Sequence, residues 1–193
     1  MIKVGITGGI GAGKSLICSV LERMGYPVFY SDFEAKKIIS SNLQVKLELI
    51  ELFGEHIYKN DQLDRPLLAS LLFSDTSLLG KMNAIIHPKV REEFENWSAL
   101  QDSPLVFNEA AILFETGSYK NFDATILVTA PLEVRLNRVI NRDNSTKEEV
   151  QKRIDNQWTD EQKAVLATYI IQNDGVQSVL NQIDNVLNEL VKK

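Results

Sequence analysis

Gly8-Gly9-Ile10-Gly11-Ala12-Gly13-Lys14-Ser15 is the stretch that decides the fold class of this 193-residue chain. It matches the phosphate-loop pattern G-x-x-x-x-G-K-[ST] at every fixed position. Polyphosphate must be wrapped closely by backbone N–H groups, and a Cβ at the tight positions would block that approach. Lys14 supplies a mobile full charge to the β and γ phosphates of ATP, and Ser15 a hydroxyl ligand for Mg²⁺. The loop also has the context that the motif requires. Ile2–Thr7 reads as a β-rich strand that stops at the glycines, and 14–24 reads as a helix with Gly25 behind it. The N-terminus of that helix points partial positive charge at the phosphates. A second short strand, 27–30, closes a strand–loop–helix–strand unit.

The pattern continues outward. Residues 33–101 read as helical, with helix starts at Asp64-Arg65-Pro66 and at Pro88. Strands follow at 105–108, 124–129 and 169–171, without clean alternation, as expected for strands covered on both faces. The segment 131–141 is an arginine-rich helix. Ser145/Glu148 and Thr159/Gln162 each read as a capping box. From Val176 to Leu190 the apolar residues fall at three- and four-residue steps, an amphipathic helix for covering a sheet. Alternating strands and helices give a three-layer α/β fold with a parallel sheet.

Composition narrows the function. A formal net charge of −5 argues against a nucleic-acid binder. No stretch is apolar and long enough to cross a membrane. One cysteine, Cys18, cannot form an internal disulfide and reads as a small buried residue. The chain is therefore read as cytoplasmic and soluble, a monomer or weak homo-oligomer. A GTPase would carry Asn-Lys-x-Asp, and the chain has none. Small-molecule kinases remain, beside a nucleotide-binding module without catalysis. Asp32 lies just past the second strand, at the edge where open parallel sheets bind ligands. There it either activates an acceptor hydroxyl or caps the next helix.

Gly5-Ile6-Thr7-Gly8-Gly9-Ile10-Gly11-Ala12-Gly13-Lys14-Ser15 resembles the N-terminus of the dephospho-coenzyme A kinase family. The likeness continues through Ser31-Asp32, residues 47–54, Asn83-Ala84-Ile85-Ile86-His87-Pro88 and Ala111-Ile112-Leu113-Phe114-Glu115. It ends with the Arg138/Arg142-Asp143 segment and Ile170-Ile171-Gln172-Asn173-Asp174-Gly175. The resemblance implies transfer of the ATP γ-phosphoryl group to the ribose 3′-hydroxyl of dephospho-CoA. It makes Asp32 the general base, 33–102 a helical substrate-binding insertion and 131–165 a small lid. The P-loop core is then about 1–32, 103–130 and 166–193. The rival readings are another small-metabolite or nucleotide kinase of this fold and the non-catalytic module. The chain departs from the family at Tyr30-Ser31-Asp32, where Asp-Ala-Asp is common, and at Glu109-Ala110-Ala111, which lacks the usual proline. Leu16 and Gln172 stand where threonine and an acid are frequent.

The remaining candidates each carry two readings. Arg135, Arg138 and Arg142 share a helix face, either as a phosphate-neutralising lid or as a solvated run; Arg142 is the strongest, and Arg135 pairs with Glu133 or a nearby Asp. His87 is a substrate contact or a packed histidine. Glu109 holds Mg²⁺ through water, orients the acceptor, or pairs with an arginine. Leu113 and Phe114 line an apolar substrate wall or pack in the core. Asn173 lies by the adenine or in a turn. The loop residues 8–16 complete the expected ATP site.

Overall fold

β1 (Ile2–Thr7) is buried on both faces from Val4 onward, with Val4 and Ile6 on one face and Gly5 and Thr7 on the other. A strand with that pattern needs cover on both sides, which places it inside a sheet rather than at its edge. The computed structural model describes residues 1–60, 62–75 and 77–192. Asp61 and Thr76 of the expected insertion and Lys193 of the expected core lie outside the described residues.

The chain forms two compact units, Met1–Tyr30 with the residues from Gln101 onward, and Ser31–Leu100. The first unit begins with β1, α1 (Lys14–Arg23) and β2 (Val28–Tyr30). Ile17, Cys18 and Leu21 place one face of α1 in the core. Full burial of a side chain such as Leu21 contributes on the order of 1.5–3 kcal/mol.

The second unit is mainly helical: α2 (Ser31–Ser41), α3 (Leu43–Phe53), a β3 (Tyr58–Lys59)/β4 (Gln62–Leu63) hairpin, α4 (Arg65–Ser74) and α5 (Ser77–Ala99). Here Asp64 caps α4 by accepting from the Leu67 N–H, with proline in the first turn as the sequence indicates. The hairpin corrects the all-helical reading; Asn60, at φ 49°, supplies the left-handed residue that its tight turn needs. Pro88 does not start a helix but lies inside α5. Ile86, Val90 and Phe94 keep one buried face running past it. The proline forfeits only one intrahelical bond, on an exposed side.

The first unit then resumes with β5 (Leu105–Glu109), β6 (Ala124–Thr129), α6 (Leu132–Asp143), α7 (Lys147–Asp155), α8 (Asp160–Ala164), β7 (Tyr169–Gln172) and α9 (Val179–Val191). The five-stranded sheet has the order β2-β5-β1-β6-β7, and every pairing is parallel. β1 is therefore central, with the connections running to opposite sides of it. That is the switch point where open α/β sheets bind ligands. α9 packs on this sheet through Ile183, Val186, Leu187 and Leu190. It starts later than its apolar spacing suggests: Ser178 is the cap, and Val176 before it is 88% exposed. The capping box of α7 is Thr146/Glu149, one residue beyond the expected pair. That register turns Val150 into a buried cluster with Leu136 and Val139. The Thr159/Gln162 box forms as expected at α8.

Candidate active site

The phosphate loop leaves the C-terminal end of β1 and enters α1 at Lys14. Gly13 takes φ 97°, a left-handed conformation that L side chains rarely adopt, and a Cβ there would overlap the Asn173 carboxamide. Lys14 arches back over the loop. Its Nζ donates to the Gly8 carbonyl at 3.1 Å and lies 3.6 Å from Glu109 Oε1 at the end of β5. Both side chains are largely shielded from water, so this ammonium is held ready by one carbonyl and one carboxylate. Ser15 is exposed in the first turn of α1, and Leu16 beside it is 51% exposed.

α6 braces the loop from the other side. Arg138 donates to the Gly11 and Ala12 carbonyls at 3.4 Å each, and to the Asn173 carbonyl at 3.0 Å. Asn173, past the end of β7, donates from Nδ2 to the Ala12 carbonyl at 2.9 Å. Residues 8–16, Glu109, Arg138 and Asn173 thus converge in one place. Arg135 does not pair with Glu133, which meets Lys147 instead. Arg135 is 7% exposed; its Nε donates to the Ile10 carbonyl at 2.9 Å and its NH1 lies 3.4 Å from each Asp160 carboxylate oxygen. A Cβ at Gly9 would overlap this guanidinium, which explains the second glycine of the loop. Burial raises the Asp160 carboxyl above its ordinary range, against the opposing pull of Arg135.

Arg142 turns to its neighbour: Nε and NH2 donate to the Asp143 carboxylate at 2.7 and 3.0 Å, and Arg153 joins the same carboxylate at 2.9 Å. This exposed trio does not reach the loop. Leu113 and Phe114 are 2% and 1% exposed, so they serve the core rather than a substrate wall. Leu113 lies over Gly5 of β1, and Phe114 packs against Tyr119. Asp32 and His87 belong to the second unit. Asp32 is exposed in the first turn of α2, and His87 is half-buried in α5. Burial pushes the His87 imidazole below its ordinary 6.5, with the Asp32 charge pulling the other way. Burial likewise pushes the Cys18 thiol up to about 12, leaving it an inert core group. No helix among the described residues is long and apolar enough to cross a membrane.

The family model for dephospho-CoA kinase matches residues 2–178. A dephospho-CoA kinase of Bacteroides fragilis is 40% identical over 193 residues, spanning 100% of this chain and 94% of the relative. The chain belongs to the dephospho-CoA kinase family. Among solved structures, TT1252 from Thermus thermophilus superposes with a TM-score of 0.84 at 36% identity, covering 99% of this chain and 96% of the other. The dephospho-CoA kinase from Campylobacter jejuni gives 0.70 at 27% identity over 98% and 97%.

Sequence reasoning about this kinase missed one group of residues. Gln157, in the α7–α8 connection, accepts the Ile10 N–H at 2.8 Å. Trp158 donates its N–H to Glu115 Oε1 at 3.2 Å, and the wholly buried Lys163 sets Nζ 2.9 Å from the same oxygen. The capping box at Thr159 marks where α8 starts, but nothing local says that the segment bonds back to the loop. The other carboxylate oxygen, Glu115 Oε2, has no hydrogen-bond partner among the described residues. This pair depends on Lys163. Lys163→Met, which keeps the apolar stem and removes the charge, should lower stability by about 3 kcal/mol, because it leaves a shielded carboxylate unpaired. Urea unfolding measures this; a loss under about 1 kcal/mol would mean that water solvates Glu115 adequately.

Proposed function

We propose that this chain transfers the γ-phosphoryl group of ATP to the ribose 3′-hydroxyl of dephospho-CoA, giving coenzyme A and ADP. The observation that carries the reading is the braced phosphate loop with its shielded Lys14, in a chain that matches the family over nearly its whole length. Lys14 exchanges its contacts with Gly8 and Glu109 for the β and γ phosphates. The loop N–H groups and the N-terminus of α1 suit the phosphate oxygens of ATP. Ser15, exposed at the start of α1, suits the Mg²⁺ that accompanies ATP, and Glu109 nearby suits a water of that ion. When bound, Mg²⁺ neutralises charge on the β and γ oxygens.

The 3′-oxygen attacks the γ-phosphorus, and the bond to the β,γ-bridging oxygen breaks. Asp32 takes the hydroxyl proton and ADP leaves. Arg138 and Asn173 fix the loop and the adenosine side. Arg142 releases Asp143 and reaches the transferring group as the outer part of 131–165 closes. His87, neutral at pH 7, contacts the substrate in the helical unit. The reading includes a cytoplasmic setting, which suits a buried, unpaired thiol. ADP release measured with dephospho-CoA, shikimate, nucleoside monophosphates and water as acceptors tests the proposal. Release should be fastest by at least about a hundredfold with dephospho-CoA, in line with the discrimination that a site built around a substrate's polar groups achieves. Preference for another acceptor would move the chain to a different small-metabolite kinase.

A further inference from the structure

Ile10 stands at the tip of the phosphate loop, and the α6–α8 segment holds it at three points. Its N–H donates to Gln157 Oε1 at 2.8 Å, and its carbonyl accepts from Arg135 Nε at 2.9 Å. Its side chain packs on the cluster of Leu136, Val139 and Val150. The arginine is fixed in turn by Asp160 at the start of α8. The glutamine sits beside Trp158, whose N–H is bonded to Glu115 in the loop after β5. One short connection therefore touches the phosphate loop through Gln157 and the β5 loop through Trp158. A shift of this segment at its base either carries Ile10 with it or breaks these contacts.

We infer that Gln157 is a positioning residue that couples occupancy of the phosphate loop to the placement of α6–α8, the segment that carries Arg138 and Arg142. The inference rests on the proposed nucleotide function. Coupling between sites is reciprocal in free energy: if nucleotide on the loop resets the segment, the placement of the segment sets nucleotide affinity by the same factor. Among the attachments, Gln157 is the one to test. It is neutral, it bonds to the backbone and not to a side chain, and its removal leaves the Arg135 anchor and the apolar cluster standing. The competing role for the same contact is a placeholder, in which the carboxamide oxygen occupies the position of a phosphate oxygen and departs when nucleotide arrives.

The test uses the full chain with Trp97→Phe, so that Trp158, 43% exposed, is the single indole reporter next to Gln157. Calorimetry with MgADP measures binding, Trp158 emission reports the segment, and steady-state rates with ATP and dephospho-CoA report the chemistry. In the parent, MgADP should bind and shift Trp158 emission. Gln157→Ala should bind MgADP about 5- to 150-fold more weakly, the usual range of a coupling, and lose most of the emission shift. Its kcat should fall more than its KM for ATP rises, since misplacement acts on the transition state. Gln157→Glu keeps an acceptor oxygen, and so should keep the emission shift, with weaker affinity from the added negative charge. An unchanged emission shift and kcat in Gln157→Ala would overturn the coupling. Tighter MgADP binding in that variant would assign the placeholder role instead. No binding heat in the parent itself would remove the nucleotide function, a failure distinct from either.

Discussion

Lys14→Ala will fold normally and lose at least about a hundredfold in turnover, the usual loss when one preorganised charge is taken from a transition state. The ammonium sits in the loop mouth rather than in the core, held by one carbonyl at 3.1 Å and by Glu109 at 3.6 Å. Both contacts are exchangeable, so the charge is available to phosphates. Removing it also leaves the largely shielded Glu109 carboxylate facing the position that polyphosphate must occupy. Binding of ATP should therefore weaken as well as transfer slow. Circular dichroism establishes the fold, and initial rates over an ATP series separate kcat from KM. Unchanged turnover in the folded variant would mean that the loop is a glycine-rich turn with an incidental lysine.

Asp32→Asn will keep the fold and ATP affinity yet slow transfer to dephospho-CoA by about 10²–10⁴-fold, the range for loss of a positioned base. A ribose hydroxyl is a poor nucleophile at neutral pH, and a carboxylate that orients it and accepts its proton lowers that barrier. Asparagine keeps the shape and one acceptor oxygen but not the basicity. The exposed first turn of α2 also makes the substitution harmless to packing. Because phosphoryl transfer relies mainly on positioning and charge, some rate should remain. Rates for the Asn variant across pH 6–9 decide it. Near-normal turnover would reduce Asp32 to a helix-end carboxylate and make Glu109 the next candidate.

Much of the P-loop core is legible in the sequence because its signals are local. The strand, glycine loop and helix of residues 2–23 follow from short-range patterning, and Thr159/Gln162 gives the start of α8 outright. Errors arise where two local signals compete or where a distant partner decides. Ser145-Thr146 faces Glu148-Glu149, so two capping boxes are possible; burial of Val150 selects the second. Pro88 looks like a start signal only when the continuous face of Ile86, Val90 and Phe94 is ignored. Arg135 belongs to a charged run that reads as surface, yet it is buried because a carbonyl 125 residues away and a carboxylate 25 residues away satisfy it. Gln157 meets Ile10 across 147 residues and leaves no local mark. Arg142, the strongest of the three arginines for its place at the helix end, donates here to its immediate neighbour Asp143.

The product itself tests the central claim most directly. The protein is incubated with Mg²⁺, dephospho-CoA and ATP labelled in its γ-phosphoryl group, and the acceptor is recovered for mass spectrometry and phosphorus–proton correlation. The account predicts coenzyme A carrying one labelled phosphoryl group on the ribose 3′-oxygen, formed in step with ADP. Label released as inorganic phosphate with unmodified dephospho-CoA, or attached at another oxygen, would contradict it.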